Sequence, residues 1–196
     1  MRDTNRLNHP DWFNRPVPSF GDPKARLLIV GLAPGLQGAN RTGRPFTGDY
    51  AGDLLYTTLA AHSFSQGLYG ANAQDGLRLH DCLITNSVRC VPPQNKPVTS
   101  EINTCRKYLE ATITALPEVK IILALGKIAH DSTAAVFGLR PSKAKFAHGA
   151  SHTLPDGRTL MDSYHCSRYN TNTRRLTAGM FDAIFMQIKS QLGKRA

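Results

Sequence analysis

Residues 25–49 read ARLLIVGLAPGLQGANRTGRPFTGD, an apolar run that passes directly into a polar loop carrying five glycines between Gly31 and Gly48. The run has the length of one strand, and its continuous apolar character suits a strand covered on both faces. Three further runs share that character: Cys82–Val88 (CLITNSV), Val119–Leu125 (VKIILAL) and Thr159–Tyr164 (TLMDSY). Between and after them, residues 51–62, 99–116, 127–137 and 177–192 have helical spacing, and Thr99 or Ser100, following Pro97, can cap the second of these helices. Strand and helix in alternation predict an α/β fold, a parallel sheet with helices on both faces. No internal repeat, low-complexity tract or linker interrupts the 196 residues, so a single domain is expected.

In such a sheet ligands collect at the carboxyl ends of the strands. The first of these loops, Gly31 to Asp49, is long, polar and glycine-rich, the composition from which backbone N–H cradles and tight ligand pockets are built. It is neither a dinucleotide fingerprint, since G-x-G-x-x-G is absent, nor a P-loop, since no G-K-[ST] closes it. Asp49 ends the loop just before a helix, where a carboxylate serves equally as an N-cap or as a reactive group. The second strand leads into TNSVRCVPPQNKP, residues 85–97, in which Asn86 and Asn95 offer the paired donor and acceptor needed to read a base edge, though asparagine in such a loop is also an ordinary turn residue. The fourth strand ends in DSYHCSRYNTNTRR, residues 162–175, where His165 precedes three arginines. That pattern suits donation to developing negative charge beside a phosphate backbone, and equally an exposed polar loop.

Charge points the same way. The chain carries 24 Lys+Arg against 14 Asp+Glu, a formal net charge of +10. Residues 1–48 hold +4 and residues 166–196 hold +5, so the excess lies in the two segments that carry the glycine loop and the His165 motif. A concentrated basic balance suits a polyanionic partner. With 41% hydrophobic and 19% charged residues, and no uninterrupted apolar stretch of spanning length, disorder and a membrane span are excluded. Residues 1–18 are polar and lack an apolar signal core, so a cytoplasmic location is expected. The four cysteines form no C-x-x-C pair, and Cys82, inside an apolar run, reads as a small core residue.

Taken in order, GLAPGLQGANRTGRPFTGD, TNSVRCVPPQNKP and SYHCSRYNTNTRRLT closely resemble the type-5 uracil-DNA glycosylases, over a span from about Pro16 to Met186. The resemblance implies a three-layer α/β/α fold around a central four-stranded parallel sheet. It also implies hydrolysis of the N-glycosidic bond of uracil, and of other deaminated bases in similar enzymes, after the nucleotide is flipped out of the DNA. By motif position it assigns Asp49, Asn95 and His165 to catalysis: a carboxylate for the cationic sugar or its water, an asparagine for water or base, and a histidine for the leaving base. It assigns Gly31, Leu32, Ala33, Pro34, Gly35, Asn40, Phe46 and Asn86 to the base pocket, with Phe46 stacking on the base. Arg41, Arg44, Ser167, Arg168, Asn170, Arg174 and Arg175 are expected to face DNA, and Arg174 stands where relatives often carry glycine.

Members of that family hold a [4Fe-4S] cluster through four cysteines, of which Cys90 and Cys105 match two. Cys82 and Cys166 do not match ligand positions, and the chain starts downstream of the segment expected to supply the first pair. Either the sequence is shortened at its start or this member lacks the usual ligand set. The remaining expectations are DNA as partner, a monomer, and no membrane contact. Two other classes are weighed against this reading. One is a catalytically silent protein of the same fold that binds nucleic acid, which the joint presence of Asp49 and His165 disfavours. The other is a small-nucleotide hydrolase, which the lack of an evident Mg²⁺-binding carboxylate pair disfavours.

Overall fold

The computed structural model describes residues 2–193. Its elements in chain order are α1 (Arg2–Asn8), β1 (Phe20–Gly21), β2 (Leu27–Gly31), α2 (Ala39–Thr42), α3 (Tyr50–Ala61), β3 (Ser65–Gln66), β4 (Arg78–Leu79) and β5 (Cys82–Asn86). There follow α4 (Thr99–Thr114), β6 (Ile121–Leu125), α5 (Lys127–Val136), β7 (Ser151–Thr153), β8 (Thr159–Ser163), α6 (Arg168–Asn172) and α7 (Ala178–Leu192). The four apolar runs are the four central strands, in the order β5-β2-β6-β8 and all parallel. Two short strands that the sequence reading missed widen the sheet to six: β1 pairs antiparallel with β5, and β7 antiparallel with β8. At two and three residues they are too short to show a period. The sheet is therefore mixed at its edges and parallel at its centre.

Every residue of β2, β5 and β6 is buried, as continuous apolar strands between two helical layers require. Side chains alternate across the sheet. Leu27 and Ile29 face one way, onto Leu55 and Leu59 of α3 and Phe181, Phe185 and Ile188 of α7. Leu28 and Val30 face the other, onto Leu109 and Ile113 of α4 and Ala129 of α5. Each fully buried Leu, Ile or Phe contributes about 1.5–3 kcal/mol, so the two cores fix the strands firmly and leave only their carboxyl-end loops free to vary. Helix α4 begins at Thr99, so neither Thr99 nor Ser100 is its cap; Val98 occupies that position, and Glu101 accepts from the Val98 amide at 2.9 Å. Thr177 caps α7 by accepting from the Met180 amide.

Candidate active site

At the carboxyl ends of the central strands lies a cavity of about 900 Å³. The glycine loop, Asn95, the Gly126–Ile128 turn and the segment after β8 wall it in. Register explains why these segments meet: Gly31, the last residue of β2, is the direct partner of Asn86, the last of β5. A Cβ on Gly31 would strike the Asn86 Oδ1 and lie 2.6 Å from the Phe46 ring, so only glycine lets these two groups close on the strand end. Phe46 in turn is buried, stacks on His165 with ring centroids 5.7 Å apart, and adopts φ +53°, a left-handed backbone that the turn after Pro45 imposes. Gly31, Phe46, Asn86 and His165 thus pack contiguously at the strand ends, and of these four His165 lines the cavity itself.

Asp49 does occupy the N-cap position of α3, with extended backbone (φ −131°, ψ 166°), yet its side chain makes no capping hydrogen bond. The carboxylate turns toward the loop instead. Its Oδ2 fills the space that a Cβ on Gly38 would need and lies 3.1 Å from that of Gly35, while Oδ1 is buried with no hydrogen-bond partner. Burial raises the Asp49 pKa above the ordinary carboxylate range, and the nearby amides of Gly52 and Ala51, though they make no capping hydrogen bond, offset part of that. A carboxylate with a buried, unpartnered oxygen is costly, and such groups concentrate where chemistry is done.

His165 is the second unusual group. Burial alone pushes its pKa down to about 4, and its Nδ1 is buried without a partner. At neutral pH the ring is an uncharged imidazole with one N–H to give. Its backbone is held by Asn170, whose Nδ2 donates to the His165 carbonyl at 2.8 Å, and Gly126 beside it adopts φ +94°, a backbone that favours glycine. Asn95, exposed with φ +56°, directs Oδ1 to accept from the Leu36 amide at 3.0 Å, which ties the second loop to the first.

The sequence profile of the Uracil DNA glycosylase superfamily matches residues 18–189. The type-5 uracil-DNA glycosylase of Thermus thermophilus is 49% identical over 187 residues, which cover 94% of this chain and 83% of that protein. This chain belongs to the type-5 uracil-DNA glycosylases. The enzymes of the same name from Mycobacterium leprae and Pyrobaculum aerophilum are 43% and 34% identical, over 95% and 98% of this chain and 82% and 84% of their own lengths.

Leu32, Ala33, Gly35, Asp49, Asn95, His165, Ser167, Arg168, Asn170 and Arg175 all line the cavity. Pro34 lies within the same loop but does not line it, and Gly31, Phe46 and Asn86, assigned to the base pocket, are packed behind the wall rather than on it. Two residues assigned by motif position are placed elsewhere. Asn40 is buried and donates from Nδ2 to Asn14 Oδ1 at 3.0 Å, while Asn14 donates to the His9 carbonyl, so Asn40 anchors the N-terminal segment rather than facing a base. Arg44 does not face DNA. It is buried, forms a two-pronged pair with Asp75 at 2.7 Å, and packs among the Phe20, Tyr56 and Tyr69 rings. There it braces the loop, because Tyr56 and Tyr69 donate to the Pro45 and Phe46 carbonyls.

The other residues expected to face DNA are exposed or partly exposed. Ser167 caps α6 by accepting from the Asn170 amide, Arg168 lies over the Tyr50 ring, and Arg175 lies 4.6 Å over Tyr164. Arg41 is exposed, with Nε donating to the Gln37 carbonyl. Arg174 adopts φ +57°, a left-handed backbone that glycine takes without strain. The sequence reading passed over Tyr50, Phe146 and Tyr164, which line the cavity, and Tyr169, which is 72% exposed between two rim arginines. Tyr164 and Tyr169 lie inside the quoted motifs, which was the available signal for them; Tyr50 and Phe146 lie outside those motifs and carried none.

The cysteines do not fit a four-thiolate cluster. Cys90 and Cys105 are partly exposed, but Cys82 and Cys166 are buried in the core, and burial holds both thiols protonated. Among the described residues only two thiols are placed to ligate, and a cubane takes four.

Proposed function

We propose that this protein hydrolyses the N-glycosidic bond of uracil in DNA, releasing the free base and leaving an abasic site. The observation that carries the reading is that Asp49 and His165 line one cavity, each with one buried polar atom, Oδ1 and Nδ1, that has no partner. Base flipping costs a few kcal/mol of unstacking, and a ring seated in the cavity against His165, which Phe46 backs, recovers part of it. As the bond between the sugar C1′ and uracil N1 breaks, its electron pair leaves with the base, which becomes an anion, and C1′ becomes an oxocarbenium-like cation. Asp49 then faces the cation and accepts a proton from the water whose oxygen bonds to C1′. His165 stabilises the anionic base by a hydrogen bond from its N–H and keeps that proton. The proton that Asp49 took from water passes to the base anion, which leaves as neutral uracil. Asn95 holds the rim of the pocket and orients water or base.

The rim arginines Arg41, Arg168, Arg174 and Arg175 neutralise phosphates, with Tyr169 beside them reaching toward the base stack. Asn86, Gly31 and the loop amides read the base edge. The test uses oligonucleotides carrying one uracil, one hypoxanthine or no damage, with alkali cleavage revealing abasic sites. Cleavage at uracil supports the proposal; tight binding with no release from either damaged base returns the protein to the catalytically silent class.

A further inference from the structure

Beneath the Phe146 wall of the cavity is a second polar cluster that the reaction does not use. Asp162 lies on β8, three residues before His165, with its carboxylate completely buried. It meets His130 from α5, also buried, and His152 from the edge strand β7. One nitrogen from each histidine and one carboxylate oxygen all lie within 4.8 Å of one another.

The hydrogen bonds in this cluster do not close with protons alone. His130 Nε2 is 3.0 Å from the Ala144 carbonyl, which can only accept, so that nitrogen carries a proton. Nδ1 then presents its lone pair to Asp162 Oδ1 at 2.7 Å, and two acceptors at that distance require a positive species between them. A second proton on His130 serves that contact, but it leaves the other half of the cluster unsatisfied. Asp162 Oδ2 and His152 Nε2 are 3.5 Å apart, both buried, and neither has a hydrogen-bond partner. That separation is long for a hydrogen bond and close to the edge of a tetrahedral metal shell, in which ligands about 2.05 Å from the ion lie roughly 3.3 Å apart.

We propose that His130, His152 and Asp162 form a binding site for a divalent transition-metal ion, with zinc the best match. Two imidazoles and one carboxylate suit zinc better than magnesium or calcium, which take oxygen ligands. The Nε2–H bond from His130 to Ala144 is the outer-shell bond that fixes the tautomer and aims Nδ1 at an ion. With Oδ2 as the single carboxylate ligand beside one nitrogen of each histidine, a fourth tetrahedral position remains for water. The ion ties β7 and α5 to β8 and clamps residues 144–150, including Phe146 of the cavity wall, just before the strand delivers His165. His152 is partly exposed on the sheet edge, which gives the ion a route in.

The full chain, stripped with chelator, is titrated with Co²⁺ by visible absorption and with Zn²⁺ by calorimetry and thermal melting. One equivalent is expected, with d–d bands of nitrogen and oxygen ligation, no thiolate charge-transfer band and a raised melting midpoint. His152→Ala, an edge-strand change compatible with folding, is expected to weaken Zn²⁺ binding at least 100-fold, and Cys90→Ser/Cys105→Ser to leave it intact. No binding, binding unaffected by His152→Ala, or binding lost with the cysteines overturns the site; in the first case the pair shares only a proton.

Discussion

Replacing Asp49 with asparagine separates chemistry from architecture more cleanly than any other change. The side chain makes no capping bond, and asparagine is as good as aspartate at an N-cap, so helix α3 loses nothing. The carboxyl pKa is raised in the folded protein, so this group favours folding below its unfolded pKa and loses that contribution as pH rises through the folded value. At pH 7 the wild-type protein therefore carries the cost of an ionised, buried carboxylate, which the amide removes; melting is expected at the same temperature or slightly higher. The catalytic effect runs the other way. A carboxylate about 4 Å from a developing cation, at an effective dielectric constant near 20, contributes roughly 4 kcal/mol, or about three powers of ten in rate. The assay is single-turnover excision from a uracil oligonucleotide beside equilibrium binding to the same strand. The expected result is a rate lowered about 1,000-fold with affinity changed less than about threefold. A rate within about tenfold of wild type, or affinity and rate falling together, would refute the role given to Asp49.

Four further outcomes follow from particular contacts. Because His165 stays neutral down to about pH 4, the acid limb of kcat/KM is expected to titrate with Asp49 above the usual carboxylate value, with no limb near 6.5, and to vanish in Asp49→Asn; the depressed His165 pKa also means stability fully present above its ordinary value of about 6.5 and lost as pH falls toward 4, a slope that His165→Gln should flatten in denaturant titrations. Gly31→Ala drives a methyl into Asn86 and Phe46 and should cost about 1–3 kcal/mol in stability and lower uracil excision sharply, measured by melting and single-turnover rate. Arg44→Ala strands the buried Asp75 charge, for an expected loss of about 3–5 kcal/mol that Asp75→Asn partly restores, while the salt dependence of DNA binding stays unchanged. Arg174→Gly relieves a left-handed backbone and should stabilise by about 1 kcal/mol while lowering the slope of log affinity against log salt by about 0.9; an unchanged slope removes Arg174 from the DNA face.

The central sheet was legible because burial on both faces writes itself into sequence as unbroken apolar runs, and β2, β5, β6 and β8 are those runs. The edge strands β1 and β7 pair on one side only and are too short to impose a pattern. Asp49 was legible as a position but not as a chemical state: its backbone is an N-cap, and only the packing of Gly35 and Gly38 shows where the carboxylate points. Arg41 and Arg44 look alike in the sequence, three residues apart, and separate only when Asp75 arrives from a distant loop to bury the second. The contact between Gly31 and Asn86 depends on strand register, which no local spacing encodes. Arg174 was legible as a departure from glycine, and its positive φ gives that departure a physical cost.

The most direct test of the account measures free uracil and abasic strand together, with enzyme and a single-uracil oligonucleotide mixed in equal amounts at low salt. The account requires both products to appear in a one-to-one ratio in wild type and both to be nearly abolished in Asp49→Asn at unchanged binding. Stable complex formation by the wild-type protein with neither product would contradict it.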